Sequence, residues 1–331
     1  MGKTVTLSDI AKACGTSNVT VSKALSNKKG VSEELREKIK EVAQQMGYVS
    51  VHSEFAVKNN YMVGVLIPDK FMNPNGSFYW ALYNSLVKVF RRRNYFCLIE
   101  TLSQNDENDL VLPRLVSEGK VTSLISLGQL SKEYVEKLKE TRLPIILLDY
   151  YITDSDVDAV ITNGYMGGYE LTSYLIRLGH RDIGFIGTVK ATTSIFDRYM
   201  GFMKAMLENG LEVRNEWTLD DRDNREFIKI PFPDKLPTAF ICNCDETALH
   251  AIRQLEELGY SIPDDISIVG YDNYLISEIS KPSITTIDVD ANKMASAAVD
   301  MLIRRIGEPT GPAMTMTIDG TLIEKGSSKK I

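Results

Sequence analysis

Apolar residues recur along this chain in two different rhythms. Over the first fifty residues they fall three or four apart: Leu7, Ile10, Ala11 and Ala13, then Val21, Ala24 and Leu25, then Leu35, Ile39, Val42, Ala43 and Met46. Such spacing puts each set on one face of an amphipathic helix. Thr6-Leu7-Ser8-Asp9 predicts a capped helix starting at Leu7, and Gly15 supplies its left-handed stop. Ser17 then caps a second helix that Ser26-Asn27 ends, and Ser32 opens a third that closes at Gly47. Beyond residue 62 the rhythm changes. Short apolar runs at Val63 to Ile67, Phe96 to Ile99, Ser123 to Leu127, Ile145 to Leu148, Ile183 to Ile186, Ala239 to Cys242 and Ile266 to Gly270 alternate with helical stretches. Nearly continuous apolar character predicts parallel strands buried on both faces, hence an α/β body.

Three short helices with a tight connection between the first two describe a helix-turn-helix unit. The second keeps Asn18, Val19, Ser22 and Lys23 outward. Asn18 can bond adenine in pairs, Val19 can meet a thymine methyl, and Lys23 offers a cation at the groove. Thr6, Ser17, Thr20, Ser22, Asn27 and Ser32 complete the expected DNA-facing set, mainly as phosphate donors. The same pattern also fits a small helical bundle with a polar surface.

Charge favours the first reading only when taken by region. The whole chain carries −6, yet residues 1–60 hold nine Lys and Arg against six Asp and Glu, leaving −9 on the remainder. A basic head on an acidic body has the right polarity for DNA. The N-terminus lacks the apolar core of a secretory signal, and no apolar run approaches the ~18 residues of a membrane span, so a cytoplasmic location is expected. Cys14, Cys97, Cys242 and Cys244 form neither a disulfide framework nor a zinc spacing, and His52, His180 and His250 are scattered, so no metal or other cofactor is expected. Cys242 and Cys244 are expected to divide between core and cleft.

Val5 to Ser17, Thr20 to Asn27, Val31-Ser32 and Gly47-Tyr48 resemble the head of the lactose- and galactose-repressor family. Further matches lie in Val63 to Asp69, Leu178 to Gly187, Arg198 to Phe202, Pro237 to Phe240 with Asp245, and Ile262 to Asn273. Membership implies a helix-turn-helix head (1–49), a hinge (50–61) and a periplasmic-binding-protein-like body (62–331) of two lobes with parallel sheets. It also implies a homodimer on pseudo-palindromic operator DNA, with a small effector held between the lobes.

That resemblance places Arg198, Asp149, Asp272, Ser194 and Asp245 at the effector. An unusual aromatic stretch after Asp69, with Phe71, Asn73, Phe78 and Tyr79, would suit a mono- or oligosaccharide, while Trp80 is assigned to helix packing. Cys244 replaces a common Asn, and the interval from Trp217 to Lys235 is short and lacks the family's helix. In the hinge the family's intercalating leucine is Val57, with Phe55 as competitor, and Glu54 faces phosphate repulsion. No leucine heptad follows Leu322 to Lys325, so no tetramerising coiled coil is expected. The function implied is an effector-controlled repressor of carbohydrate genes, with a coupling of ~1–3 kcal/mol between the two sites. The alternative, motivated by the hinge, is a sugar sensor with weak DNA binding. An enzyme lacks support: there is no phosphate loop or nucleophile elbow, and Gly164, Gly167 and Gly168 are expected outside a strand-then-helix context.

Overall fold

The computed structural model describes residues 7–25, 30–45, 62–72, 78–223 and 226–331. The hinge therefore lies outside the described residues, as do Thr6, Asn27, Val57 and Asn73.

Helices α1 (Leu7–Cys14), α2 (Asn18–Leu25) and α3 (Glu33–Gln45) form the head. Gly15 ends α1 at φ +64°, where Cβ-bearing residues are strained. Ser17 Oγ accepts from Thr20 N at 3.1 Å, and Ser32 Oγ accepts from Leu35 N at 3.4 Å, so both hydroxyls cap as expected. Ile10, Ala11, Val21, Ala24, Ile39 and Ala43 bury together. Ala13 does not join them: it is exposed, and Cys14, one turn after Ile10, packs there instead. Buried Arg36 donates to the Ala24 and Val31 carbonyls at 3.3 and 3.5 Å, tying α3 to the end of α2.

The body begins with β1 (Met62–Pro68), α4 (Phe78–Arg92), β2 (Phe96–Leu102), β3 (Ser123–Leu127), α5 (Lys132–Lys139), β4 (Ile145–Leu148) and β5 (Asp158–Thr162). The second lobe follows with α6 (Gly164–Arg177), β6 (Ile183–Ile186), α7 (Thr193–Glu208), β7 (Thr218–Leu219), a hairpin of β8 (Arg222–Asp223) and β9 (Glu226–Phe227), β10 (Ala239–Cys242), α8 (Asp245–Glu257), β11 (Ser267–Val269), α9 (Leu275–Ile279) and β12 (Thr286–Asp288). Helix α10 (Ala291–Gly307) and β13 (Thr315–Ile318) return to the first lobe, and β14 (Thr321–Ile323) pairs antiparallel with β12. The first sheet has the order β13-β5-β4-β3-β1-β2 and the second β11-β10-β6-β7, each parallel throughout. The chain thus passes between lobes at Asn163, at Asp288 to Asp290 and at Asp319 to Gly320.

Strand β2 departs from the two-faced burial expected of it, because it pairs only with β1 and leaves Phe96 54% exposed at the sheet edge. Gly164, Gly167 and Gly168 do follow a strand and open a helix, contrary to expectation, but their work is packing. A Cβ on Gly168 would overlap the Arg198 carbonyl, and one on Gly201 would overlap the Tyr165 carbonyl, so α6 and α7 touch backbone to backbone. His180 is buried and structural: Nδ1 meets Thr238 Oγ1 at 2.8 Å and Nε2 meets the Lys329 carbonyl at 3.2 Å.

Gly168→Ala should cost about 1–3 kcal/mol by forcing these helices apart. Urea unfolding would show it as a lowered midpoint, and an unchanged midpoint would contradict the close contact.

Candidate functional site

The C-terminal ends of parallel strands expose backbone groups and loops, which is where open α/β sheets hold ligands. Both sheets aim those ends at one cleft of about 710 Å³. From the first lobe come Asp69, Lys70, Phe71, Met72, Phe78, Tyr79, Gln104 and Asp149; from the second come Thr192, Ser194, Ile195, Arg198, Asn243, Cys244, Glu246, Asp272 and Tyr274.

Arg198 is the buried centre of the second-lobe wall. Its Nη1 donates to the Asn243 carbonyl at 2.5 Å, its Nη2 meets Asp272 Oδ1 at 3.2 Å, and the guanidinium lies 3.8 Å from the centroid of the Tyr271 ring. Asp272 sits at φ +109° just past β11 and bonds β12 through its own backbone. Burial pushes its carboxyl up to about 7, against the opposing pull of Arg198. Across the cleft Asp149, at φ +71° after β4, accepts from the Tyr79 hydroxyl at 3.0 Å. Its pKa is raised to about 6, again by burial, with Arg198 and the Tyr79 bond opposing. Tyr79 in turn packs on Phe71 with ring centroids 4.5 Å apart.

The short interval after Trp217 turns out to build a wall of the cleft. The β8–β9 hairpin contributes Arg222, Glu226 and Phe227 to the lining. Asp221 anchors it from beneath. Almost fully buried, Asp221 accepts from Thr188 N at 2.9 Å, Asn243 Nδ2 at 2.6 Å and Thr247 Oγ1 at 2.6 Å, and it grips Arg222 through Nε at 2.9 Å and Nη2 at 2.6 Å. Burial alone would raise this carboxyl, yet the Arg222 bonds and charge hold it at about 2. The fork is thereby fixed toward the cleft, with Phe227 5.0 Å beneath it.

Two side chains bridge the lobes at the start of α7. Gln129 Oε1 accepts from Thr193 N at 2.8 Å, and the Tyr151 hydroxyl donates to Asp197 at 3.1 Å. The helix turn that carries Ser194 and Arg198 is therefore held at two points by the first lobe.

Phe71, Phe78, Tyr79, Asp149, Ser194, Arg198 and Asp272 all line the cleft. Asp245 does not. Fully buried at the first turn of α8, it accepts from Thr286 Oγ1 at 2.7 Å and lies against the Gly270 backbone, because Cys244 takes the N-cap position ahead of it and turns it into the core. Cys242 is core and Cys244 lines the cleft, as read from the sequence. The amide missing at Cys244 is present one residue earlier, but Asn243 spends its amide on Asp221, Ile186 and Thr247. Trp80 stacks on Tyr83 at 5.4 Å and is not part of the lining. In the head, Ser17, Asn18, Val19, Lys23 and Ser32 are exposed, Val19 by 63%, whereas Thr20 and Ser22, the latter expected outside, are half-buried. Sequence reasoning missed Lys70, Gln104, Tyr274 and the whole hairpin set; in the hairpin only the Asp221-Arg222 charge pair could have flagged it.

Residues 6–50 match the model of bacterial regulatory proteins of the lacI family, and residues 172–328 match a periplasmic binding protein-like domain. The HTH-type transcriptional repressor PurR of Glaesserella parasuis serovar 5 (strain SH0165) is 31% identical over 310 residues, covering 91% of this chain and 90% of that protein. The chain belongs to the lacI family. Its fold is shared by the transcriptional regulator CelR in complex with cellobiose (TM-score 0.68, 22% identity, 98% of this chain and 99% of that one). It is shared equally by the lac repressor dimer bound to operator and the anti-inducer ONPF (TM-score 0.68, 20% identity, 99% and 100%). This lacI-family chain is a ligand-responsive, DNA-binding transcriptional repressor and not an enzyme. Among the described residues no helix is long and apolar enough to cross a membrane.

The raised carboxyls give a signed pH dependence. Asp149 and Asp272 titrate near 6 and 7 in the fold, above the ~3.9 of an unfolded Asp, so between those values the native state holds more protons. Stability should therefore fall as pH rises from 5 to 8. Asp149→Asn should flatten that fall by on the order of 1–2 kcal/mol, read as melting temperatures across the range; parallel curves for the two proteins would contradict the assignment.

Proposed function

We propose that this repressor senses a small saccharide in the interlobe cleft and works as a homodimer on a pseudo-palindromic operator. The observation that carries the saccharide is the pairing of aromatic faces, Phe71, Tyr79 and Phe227, with a buried arginine and acidic side chains in one cleft of about 710 Å³. Apolar sugar faces stack on rings while hydroxyls need donors and acceptors fixed around them. The cellobiose complex of CelR, which has the same fold, supports the reading.

On the DNA side we assign base contact to Asn18 and Val19, and backbone contact to Ser17, Thr20, Ser22, Lys23 and Ser32. Thr6 and Asn27 belong to the same set, with Val57 as the minor-groove wedge. The proposed division is head 1–49, linker 50–61 and body 62–331. A general consideration supports dimerisation: one small head buries little surface, and two acting together bind an operator more tightly and specifically. The operator-bound dimer of the lac repressor is consistent with that. Closing the cleft on a ligand would move the two linkers relative to each other and change how both heads reach their half-sites.

Selection from random duplexes followed by mobility-shift titration tests the reading. A preferred pseudo-palindrome with a steep salt dependence is expected, and Asn18→Ala should relax preference at one base position by ~1–3 kcal/mol. Absence of any preference over random DNA would instead favour a sugar sensor that has lost its operator.

A further inference from the structure

The charges facing the cleft do not balance, and the imbalance has one sign. Each cation of the described lining already has a carboxylate and a ring. Lys70 Nζ is 3.4 Å from Glu107 and 5.1 Å from the Phe71 centroid. Arg198 has Asp272 at 3.2 Å and Tyr271 at 3.8 Å, and Arg222 has Asp221 at 2.6 Å and Phe227 at 5.0 Å. Asp69, Asp149 and Glu226 also line the cleft, and none of them has a cationic side chain within 4.0 Å among the described residues. A second observation marks where a ligand would answer this excess. Asp149 is 5% exposed; one carboxyl oxygen takes the Tyr79 hydroxyl, and the other, Oδ1, is buried with no hydrogen-bond partner, as is Arg198 Nε on the opposite wall, whose charge reaches Asp149 from beyond ion-pair distance. A buried carboxylate oxygen left alone costs free energy until a donor arrives.

Three ligand chemistries can be weighed against that wall. A phosphorylated or carboxylated sugar brings negative charge to surplus carboxylates, in a site where burial strengthens the repulsion. A neutral sugar can satisfy Asp149 Oδ1 with a hydroxyl but leaves the charge as it was. A protonated amine does both: it donates up to three N–H bonds, makes a charge-assisted bond to the carboxylate, and is attracted to the aromatic faces nearby.

We propose that the effector is an amine-bearing saccharide, an amino sugar or a short glycoside of one, whose ammonium is held by Asp149 with Glu226 closing from the hairpin. This inference rests on the saccharide reading above. It differs in predicting discrimination by charge at a single substituent.

The test uses the full-length protein at about pH 6.5, where such an amine is protonated. Thermal shift and calorimetry would compare glucosamine with glucose, galactosamine with galactose, and the β-1,4-linked dimers of glucosamine and of glucose. N-acetylated and 6-phosphorylated counterparts complete the panel. At least one amine should bind roughly tenfold or more tightly than both its neutral and its N-acetylated partner, with the phosphates weakest. Glu226→Gln on the exposed hairpin and Asp149→Asn in the wall should each shrink that advantage, read within each variant as the ratio of amine to neutral affinity. If in every set the neutral or N-acetylated member binds as well as the amine, the inference falls and the saccharide reading stands. If no saccharide of any kind binds, both fall together.

Discussion

A guanidinium removed from water is the constraint on which the rest of this structure depends. Arg198 cannot give up its proton, so its burial has to be answered by fixed acceptors and a ring. The answers come from three places: the Asn243 carbonyl at the end of β10, Asp272 at the end of β11, and the face of Tyr271. Helix α7 delivers the arginine, and the glycine contact with α6 lets that helix lie close enough to do so. Losing any one of these would strand a buried charge, which is far costlier than the pair is worth as a stabiliser. The node is thus better understood as a device for holding geometry than as a source of stability.

Around that node the cleft is built in layers that each fix the next. Asp221, spent entirely on anchoring, orients Arg222; Glu107, buried behind the first lobe, restrains Lys70 beside Phe71; Gln129 and Tyr151 hold the first turn of α7 from the opposite lobe. What remains unspent at the cleft is Asp149 Oδ1 on the first-lobe wall and Arg198 Nε on the second. A ligand that reaches from that oxygen to the Arg198 node would link the lobes through itself, and any difference in its affinity for open and closed forms becomes a bias on whatever the lobes control.

Much of this was legible in the sequence, and the failures have physical causes. Strands β3, β4, β6 and β10 begin and end where their mainly apolar runs do, because a strand covered on both faces favours apolar residues; the exceptions, Ser123 and Ser126, are buried in β3. Strand β5 was not marked: it starts at Asp158, whose carboxylate is neutralised by Arg304 and Arg305 from the distant α10, a pairing no local pattern reveals. The hairpin was opaque for a similar reason, since its four strand residues are mostly charged and gain their meaning only from Asp221 beneath them. Asp245 was placed wrongly because a residue just past a strand end can turn either way. The cap position of Cys244 decided it.

The central claim is that the Arg198 fork, and not merely its charge, carries the response from cleft to DNA. Arg198→Lys keeps a cation for Asp272 but cannot bond the Asn243 carbonyl and Asp272 together. Fluorescence anisotropy on the selected operator, with and without the saccharide that most raises the melting temperature, reads the effect directly. The account predicts operator affinity within about threefold of the parent without ligand, and loss of most of the ~5- to 150-fold ligand effect that such couplings span. A full ligand response in the lysine variant would contradict it.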